Sequence, residues 1–235
     1  MRFILCIFFC TSLLGAVAQQ TQQPTYIEDK YSYFIALNMG NAVGNYKSIL
    51  KEGNKAGTKF GLTGGVLFNP YSRKKASPVF YGAEIGFQGD GREDPITTYS
   101  GDFRVSNTSF WLNGLARYRP VLWSSKINPY ADAFFGAKFI QTSLVEQLNE
   151  EESETLERWT KVTPNYGLGI GLGIKLFGSM KNSYLDIGVY YQQADATKIV
   201  KPNTVEIDSN FEYKSKQVLT ATNQWVVKVG ITGFN

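Results

Sequence analysis

Residues 162–177 alternate between large side chains and glycine, and this alternation constrains the fold more than any other feature of the sequence. From Tyr166 to Leu176 every second residue is large and apolar or aromatic, and the residues between them are four glycines and Lys175. A period of two is typical of a β-strand, because successive side chains point to opposite faces of a sheet. A glycine face predicts close packing inside a small barrel, with the apolar face against lipid. The glycines also resemble a phosphate-binding loop, but that motif requires a following helix.

Seven further segments show the same alternation. They are residues 31–40, 59–68, 79–88, 109–118, 130–139, 184–191 and 224–232. Each is close to the ~9–11 residues that a tilted transmembrane strand needs. Together with residues 162–177 they predict an all-β fold, a closed antiparallel transmembrane β-barrel of eight strands, since such barrels have an even number of strands. Ten strands are the alternative if part of residues 41–56 or 194–218 forms an additional hairpin.

The segments between these strands alternate in length. The long, polar ones are residues 41–56, 89–105, 141–161 and 194–218, and the shorter ones are residues 69–78, 120–128 and 178–183, which contain Pro, Gly, Ser and Asn. Outer-membrane barrels have short turns on the periplasmic side and long loops outside. The alternation therefore predicts short periplasmic turns and long extracellular loops.

The N-terminus has the pattern of a secretory signal peptide over residues 1–18. Arg2 precedes an apolar stretch, and Ala16 and Ala18 form a small-x-small cleavage site, so we expect cleavage near Ala18. Residues 19–30 are then a periplasmic tail and residues 31–235 the barrel domain. Both cysteines, Cys6 and Cys10, lie in the signal, which predicts a mature chain without disulfides or a thiol nucleophile. The expected location is the cell outer membrane.

The composition argues against most kinds of catalysis. The sequence contains no histidine, which excludes a Ser-His-Asp triad and a histidine-bound zinc. The formal net charge of +4 is too small to indicate nucleic-acid binding. Residues Asp90 to Asp94 lack the full spacing of a calcium loop and are expected to be solvated surface charges. We therefore expect no enzyme activity, no metal site and no cofactor.

The sequence resembles the small outer-membrane β-barrel proteins of Gram-negative bacteria, in particular the eight-stranded OmpA and OmpX barrels and the outer-membrane β-barrel domains of Bacteroidetes. The resemblance covers residues 27–235 and rests on the alternating strands, the Pro-Tyr-led segment 128–138, the glycine-rich strand and the aromatic Phe234. It implies insertion by the barrel-assembly machinery and contact with outer-membrane lipid and lipopolysaccharide. In this family the insertion signal usually ends on a terminal aromatic residue in phase with the lipid-facing residues. Phe234 departs from that pattern, since it lies on the opposite parity to Trp225. Either a bulge shifts the last residues, or the insertion signal is weaker than usual. The alternative fold for this pattern is a soluble β-sandwich or lipocalin-like barrel, whose large residues face inward.

The inward parity of the predicted strands carries eight charged residues. They are Lys59, Glu84, Arg117, Asp132, Lys138, Lys175, Asp186 and Lys228. An eight-stranded barrel is filled by side chains, and charges removed from water must be paired, so these residues predict a network of ion pairs in the lumen. The network either maintains the barrel shape or lines a narrow, weakly anion-preferring path.

The loop over residues 146–158 is acidic, and its apolar spacing predicts a short amphipathic helix over the barrel mouth. Its candidate extracellular contacts are Glu150, Glu151, Glu152, Glu154 and Trp159. The expected function is a structural or surface-interaction role through the long loops. The alternatives are a narrow channel for small solutes or ions, and an accessory subunit of a secretion or motility apparatus with an unidentified envelope partner.

Overall fold

The computed structural model describes residues 30–52, 57–71, 77–92, 96–98, 101–120, 126–147, 153–176, 183–201, 204–207 and 213–234. The predicted signal peptide and nearly all of the predicted periplasmic tail lie outside these residues. Within the described ranges, no helix is long and apolar enough to cross a membrane.

The described chain contains thirteen strands and one helix. In chain order they are β1 (Tyr31–Ala42), α1 (Gly44–Glu52), β2 (Lys59–Phe68), β3 (Val79–Arg92), β4 (Ile96–Thr98), β5 (Gly101–Tyr118), β6 (Ile127–Gln147), β7 (Ser153–Lys175), β8 (Ser183–Ala194), β9 (Ala196–Val200), β10 (Glu206–Ile207), β11 (Tyr213–Lys214), β12 (Gln217–Ala221) and β13 (Gln224–Phe234).

Eight of the strands form a ring. Their order is β3-β2-β1-β13-β8-β7-β6-β5, and pairing of β3 with β5 completes the circle. Every pairing in the ring is antiparallel. The predicted eight-stranded antiparallel β-barrel is therefore confirmed. The pair β9–β12 forms a separate two-stranded sheet, so the described chain shows eight barrel strands and not ten.

The two ends of the barrel differ. At the end that we call the turn end, residues 69–78, 119–126 and 176–182 connect neighbouring strands. At the opposite end, the loop end, α1 connects β1 to β2 and the hairpin β9–β12 lies between β8 and β13.

Two of the predicted loops are largely strand. The expectation of loops over residues 89–105 and 141–161 is wrong, because β3, β5, β6 and β7 continue through most of these residues. The β5–β6 ladder extends to the pair Asp102 and Gln147. Above the barrel its inner face keeps apolar residues such as Val105 and Leu144, which are fully buried. An apolar inner face that packs against other residues stabilises the longer strands.

The outer face of the barrel is apolar. Leu168 and Ile170 on β7 are 68% and 70% exposed, and Phe135 on β6 is 68% exposed. Exposed aromatic residues occur near both ends: Tyr31, Tyr81 and Tyr118 near the turn end, and Phe60, Phe87, Phe110, Phe139 and Trp225 near the loop end. A belt of apolar residues between two rings of aromatics is typical of strands that contact lipid. The outward placement of the large residues contradicts the soluble sandwich or lipocalin-like alternative.

The last strand runs without a bulge to its end. The β1–β13 ladder continues in one register from Gln224 to Phe234, which pairs with the inward-facing Ser32. The backbone of Phe234 therefore keeps the parity that the sequence indicates. The bulge considered above is absent from the described part of β13.

Candidate functional site in the barrel lumen

Glycines on the inner wall make room for large side chains in the lumen. A Cβ atom on Gly169 would overlap the ring of Tyr190, which is buried. The same relation recurs around the wall: Gly171 with Tyr130, Gly167 with Phe134, Gly86 with Trp111, and Gly65 with Phe34. The predicted glycine face is thus the inner face, and aromatic rings fill the space that the missing side chains leave. Small and large residues alternate in this way where side chains fill a narrow barrel.

Arg117, Asp132 and Asp186 form a cluster in the half of the lumen toward the turn end. The Arg117 guanidinium donates two hydrogen bonds to Asp132, with Nε 2.8 Å from Oδ1 and a second nitrogen 2.9 Å from Oδ2. A third hydrogen bond of 3.1 Å reaches Asp186, which also accepts from the hydroxyl of Thr232. The guanidinium carbon lies 3.9 Å from the centre of the Tyr130 ring. Bidentate contacts between a guanidinium and a carboxylate are among the strongest charge-assisted hydrogen bonds.

A second ion pair lies in the middle of the lumen. Lys228 Nζ is 2.7 Å from Glu84 Oε2 and 4.4 Å from the centre of the Tyr190 ring. Asn113 donates a hydrogen bond of 2.8 Å to the other carboxylate oxygen of Glu84. Tyr190 donates to Asp132 over 2.9 Å, which joins this pair to the Arg117 cluster. The two groups therefore form one connected network.

Amide side chains continue the network toward the loop end. Asn165 donates to Asn113 over 2.8 Å, and Gln192 donates to Asn165 over 2.8 Å. Gln224 donates to Gln192 over 2.5 Å, and Gln88 donates to Gln224 over 3.1 Å and to Asp90 over 3.2 Å. All five amide side chains are buried: Gln88, Asn113, Asn165, Gln192 and Gln224. They connect Glu84 in the middle of the lumen to Asp90 near the mouth.

A third charged group lies beneath helix α1. Lys59 Nζ is 3.0 Å from Asp90 Oδ1 and donates a hydrogen bond of 3.1 Å to the hydroxyl of Tyr46, while Ser109 donates to Asp90 Oδ2. The ammonium also lies 4.4 Å from the centre of the Tyr46 ring. Burial, reinforced by the negative charge of Asp90, raises the pKa of Tyr46 to about 12. Tyr46 therefore stays protonated at neutral pH and acts as a hydrogen-bonding side chain.

Helix α1 covers the mouth of the barrel. Tyr46 and Leu50 are one turn apart on the buried face of the helix and pack with Ala42, Ile140 and Ile199. Spacing of i and i+4 places two residues on the same side of a helix. The apolar residues of α1 therefore hold it over the lumen, with β6 and the hairpin β9–β12 as its supports.

Little free space is left in the lumen. Two cavities of about 10 and 20 Å³ lie beside Arg117. Cavities of this size hold about one water molecule each. The side chains and the α1 cap thus fill most of the described part of the lumen.

The structure brings together most of the predicted lumen residues. Buried within the lumen are Lys59, Glu84, Arg117, Asp132, Lys138 and Lys228, and Asp186 is slightly more exposed. Lys175 lies at the turn end and is half-buried, and its backbone N–H donates to the carbonyl of Lys126. The sequence did not specify which charges pair. Arg117–Asp132 and Lys59–Asp90 join neighbouring strands, whereas Arg117–Asp186 and Lys228–Glu84 join strands that are distant in the chain.

Two important lumen residues were missed by the sequence analysis. Asp90, expected to be a surface charge in a loop, is buried and ion-paired with Lys59. It is the extra residue of a β-bulge between Gly89 and Gly91, and bulges redirect side chains. The parity shared with Glu84 and Gln88 could have identified it. No comparable signal identifies Tyr46, because its role depends on where α1 packs.

The acidic segment is organised differently from the prediction. The amphipathic helix expected over residues 146–158 is wrong: β6 extends to Gln147, β7 begins at Ser153, and α1 from the first loop covers the mouth instead. Glu150, Glu151 and Glu152 lie outside the described residues. Glu154 is exposed and pairs in the ladder with Glu146, whereas Trp159 is half-buried.

Above the barrel, Trp159 belongs to a separate apolar cluster. Its buried members are Phe103, Val105, Leu144, Val200 and Val205, and Leu156 and Trp159 pack against them. We call this part of the molecule the loop-end platform: the extensions of β5, β6 and β7 beyond the barrel, together with the hairpin β9–β12. The apolar cluster between the two layers fixes their relative position.

Comparisons with known proteins agree with this architecture. No family model matches the sequence, and no curated protein matches it either. Among solved structures, the chain is similar to a major outer membrane protein from Thermus thermophilus, with a TM-score of 0.55 and 12% sequence identity over 87% of this chain and 99% of that one.

Two further solved structures are similar at lower scores. One is Ail, the attachment invasion locus protein of Yersinia pestis, in complex with the heparin analogue sucrose octasulfate, with a TM-score of 0.41 and 10% identity over 88% of this chain and 99% of that one. The other is the N-terminal β-barrel domain of Pseudomonas aeruginosa OprF, with a TM-score of 0.37 and 9% identity over the same shares. The similarity to the Thermus protein shows the fold, which is that of a bacterial outer-membrane β-barrel.

Proposed function

We propose that this chain is an integral outer-membrane protein whose filled barrel is a non-conducting scaffold for the loop-end platform, with a structural or surface-interaction role. The observation that carries the proposal is the lumen, which is occupied by paired charges, amides and aromatic rings and is covered by α1. A barrel that conducts solutes requires a continuous open path. A wide aqueous channel requires about 16 strands.

The outer surface supports the membrane location. Leu168, Ile170 and Phe135 would be largely exposed to water in a soluble monomer, where contiguous apolar surface of this extent is rare. The aromatic residues near each end match the two membrane–water interfaces. In this orientation the turn end faces the periplasm and the loop-end platform faces the cell exterior. Outer-membrane lipid and lipopolysaccharide are then the immediate neighbours of the belt, and the barrel-assembly machinery inserts the chain.

The platform supports a role in surface interaction. Val105 and Leu144 are fully buried in its apolar cluster, so its two layers form a packed unit and not a set of separate loops. Its solvent side presents charged and apolar groups, including Glu154, Lys161, Lys198 and Leu219. A scaffold that holds such residues in fixed positions suits binding to another envelope or external molecule.

A non-catalytic role agrees with the chemistry of the lumen. The sequence has no histidine to serve as a general base. The carboxylates of Glu84, Asp90 and Asp132 are buried and are engaged in ion pairs. Groups enclosed in this way have no route to a substrate, which favours a structural function for the charges.

Conductance measurements test the proposal. The chain from residue 19 to residue 235, refolded and verified by heat-modifiable gel migration, should give no current steps in a planar bilayer. The Tyr46→Ala variant should also be silent, because the Glu84–Lys228 and Arg117–Asp132 pairs still occupy the lumen below the cap. Discrete, salt-dependent steps from the parent would contradict the proposal and favour the narrow channel. Steps from Tyr46→Ala alone would show that α1 is the barrier and that the rest of the lumen is open.

A further inference from the structure

Lys138 differs from every other buried cation described in the lumen. Its side chain is fully buried, and its Nζ has no hydrogen-bond partner among the described residues. By contrast, Lys59 and Lys228 each face a carboxylate, and Arg117 faces two. Burying an ammonium ion without a partner is costly, so such a group requires compensation.

The charges of the lumen are unevenly distributed along its axis. Near the turn end, Arg117 faces both Asp132 and Asp186, and Arg119 lines the same cavity as Asp186. Beneath α1, the charges of Asp90 and Lys59 both act on Lys138, so two cations share one carboxylate. The group near the mouth therefore has one excess positive charge.

The protein groups around Lys138 are already engaged in other contacts. In the β-ladders Lys138 lies between Trp111, which offers no acceptor, and Thr163. The hydroxyl of Thr163 donates to the carbonyl of Asp195 over 2.9 Å. Oδ1 of Asp90 accepts from Lys59 and Gln88, and Oδ2 accepts from Ser109.

From this arrangement we propose that the buried ammonium of Lys138, beneath α1, binds a small inorganic anion of the halide class, for which the neighbouring side chains move apart. An anion supplies both the acceptor that Lys138 lacks and the negative charge that Lys59, Asp90 and Lys138 together lack. A water molecule would supply the acceptor but would leave the charge uncompensated. The packed lumen favours a monatomic ion over phosphate or sulfate. The site does not depend on the proposed function, since a silent scaffold and a channel could each contain it.

Thermal unfolding at constant ionic strength tests the site. The refolded chain is melted in sodium gluconate and in mixtures in which chloride replaces gluconate. The parent should gain about 3–5 °C when chloride reaches about ten times its dissociation constant, because a ligand that binds only the folded state stabilises it. Lys138→Met, which keeps the length of the side chain and removes its charge, should show no chloride dependence and should melt in gluconate at or above the parent.

Lys228→Met is the matched control. Lys228 is a buried lumen cation with a carboxylate partner, so its replacement should lower the melting temperature in both salts and keep the chloride-dependent shift. An absence of chloride dependence in the parent would overturn the proposal, as would the same dependence in Lys138→Met and the parent.

Bromide gives a direct location. Crystals of the refolded chain grown in sodium bromide should show an anomalous peak within hydrogen-bonding distance of Lys138 Nζ, and the peak should disappear in Lys138→Met. Peaks confined to the protein surface, or a water molecule at Nζ with no anomalous signal, would contradict the site.

Discussion

Adjacent residues of β7 face opposite environments and are constrained in different ways. Ile170 points outward and is 70% exposed, and this position requires only that the side chain be apolar. Gly169 points inward, and an added Cβ atom would overlap the ring of Tyr190. The outer face thus depends on hydrophobicity, whereas the inner face depends on shape and on charge pairing. Any apolar residue suits the first, but few substitutions suit the second.

The largest effect is expected from breaking the inner charge cluster. Arg117→Met would leave Asp132 and Asp186 without their cation, which should destabilise the barrel by about 3–5 kcal/mol. Urea unfolding from lipid vesicles, followed by tryptophan fluorescence, measures this change. Lys161→Met, on the exposed loop-end surface, is the control and should change stability by less than about 0.5 kcal/mol. Equal stability of the two variants would show that the Arg117 charge cluster does not stabilise the barrel.

A charge on the outer face should have the next largest effect. Ile170→Arg would place a cation against the hydrocarbon core and should cost about 2–4 kcal/mol if Ile170 lies near the bilayer midplane. Ile170→Leu keeps the face apolar and should leave the folded fraction on heat-modifiable gels unchanged. If Ile170→Arg folds as well as Ile170→Leu, the outer face does not contact lipid.

Glycine substitutions compare the two faces with the same chemical change. Gly169→Ala should cost about 1–3 kcal/mol, because the inner wall has no room for a methyl group. Gly114→Ala is the matched control on the outer face: its Cβ would lie 3.6 Å from the nearest atom, the carbonyl oxygen of Phe135, which is an ordinary contact. Similar unfolding curves for the two variants would contradict close packing of the lumen against β7.

The cap provides a smaller, pH-dependent test. The pKa of Tyr46 is raised from 10.0 to about 12, so its contribution is fully present below pH 10.0 and is lost as the pH rises toward 12. Tyr46→Phe removes the hydrogen bond from Lys59 and should cost about 0.5–1.5 kcal/mol at neutral pH. Between pH 10 and 12 the parent should lose more stability than Tyr46→Phe. Parallel pH profiles would mean that the Tyr46 hydroxyl is not buried against Lys59 and Asp90.

The smallest effect is expected at an exposed pair near the cap. Glu52 and Lys201 lie 2.7 Å apart, but their side chains are 55% and 40% exposed. Glu52→Gln should therefore cost no more than about 0.2–1 kcal/mol in chemical denaturation at low salt, and less at high salt. A loss as large as that of Arg117→Met would show that α1 is attached mainly by this pair and not by Tyr46 and Leu50.

The sequence predicts the wall of the barrel better than its contents. The two-residue alternation determines which residues face inward, so the eight strands and the buried positions of Glu84, Arg117 and Lys228 follow from local pattern. The pairing of Lys228 with Glu84 does not, because it joins residues 144 positions apart across the lumen and depends on the geometry of the whole ring.

The regions where prediction failed depend on long-range packing. Helix α1 and the segment 146–158 both show helical spacing of apolar residues, and only α1 forms a helix among the described residues. In the second segment the ladder between β6 and β7 continues, and Leu144 and Leu156 join the apolar cluster of the loop-end platform. Tertiary packing therefore decided between two conformations that the local sequence left open.

Single cysteine substitutions, one on each face, test the difference between the two faces most directly, because the chain from residue 19 to residue 235 contains no cysteine. Val189 on β8 points outward and is 45% exposed, whereas Val226 on β13 points inward and is 2% exposed. Each is replaced by cysteine, and the folded barrel in lipid vesicles is treated with a membrane-soluble or a small water-soluble maleimide. Lys198→Cys, exposed at the loop end, is the positive control for the water-soluble reagent.

We expect Val189→Cys to react with the membrane-soluble reagent alone, and Val226→Cys to react with neither reagent until the barrel is unfolded. Modification of Val226→Cys by the water-soluble reagent in the folded barrel would mean that the lumen is open. Modification of Val189→Cys by that reagent, as fast as Lys198→Cys, would mean that the outer face contacts water and that the barrel does not span a membrane.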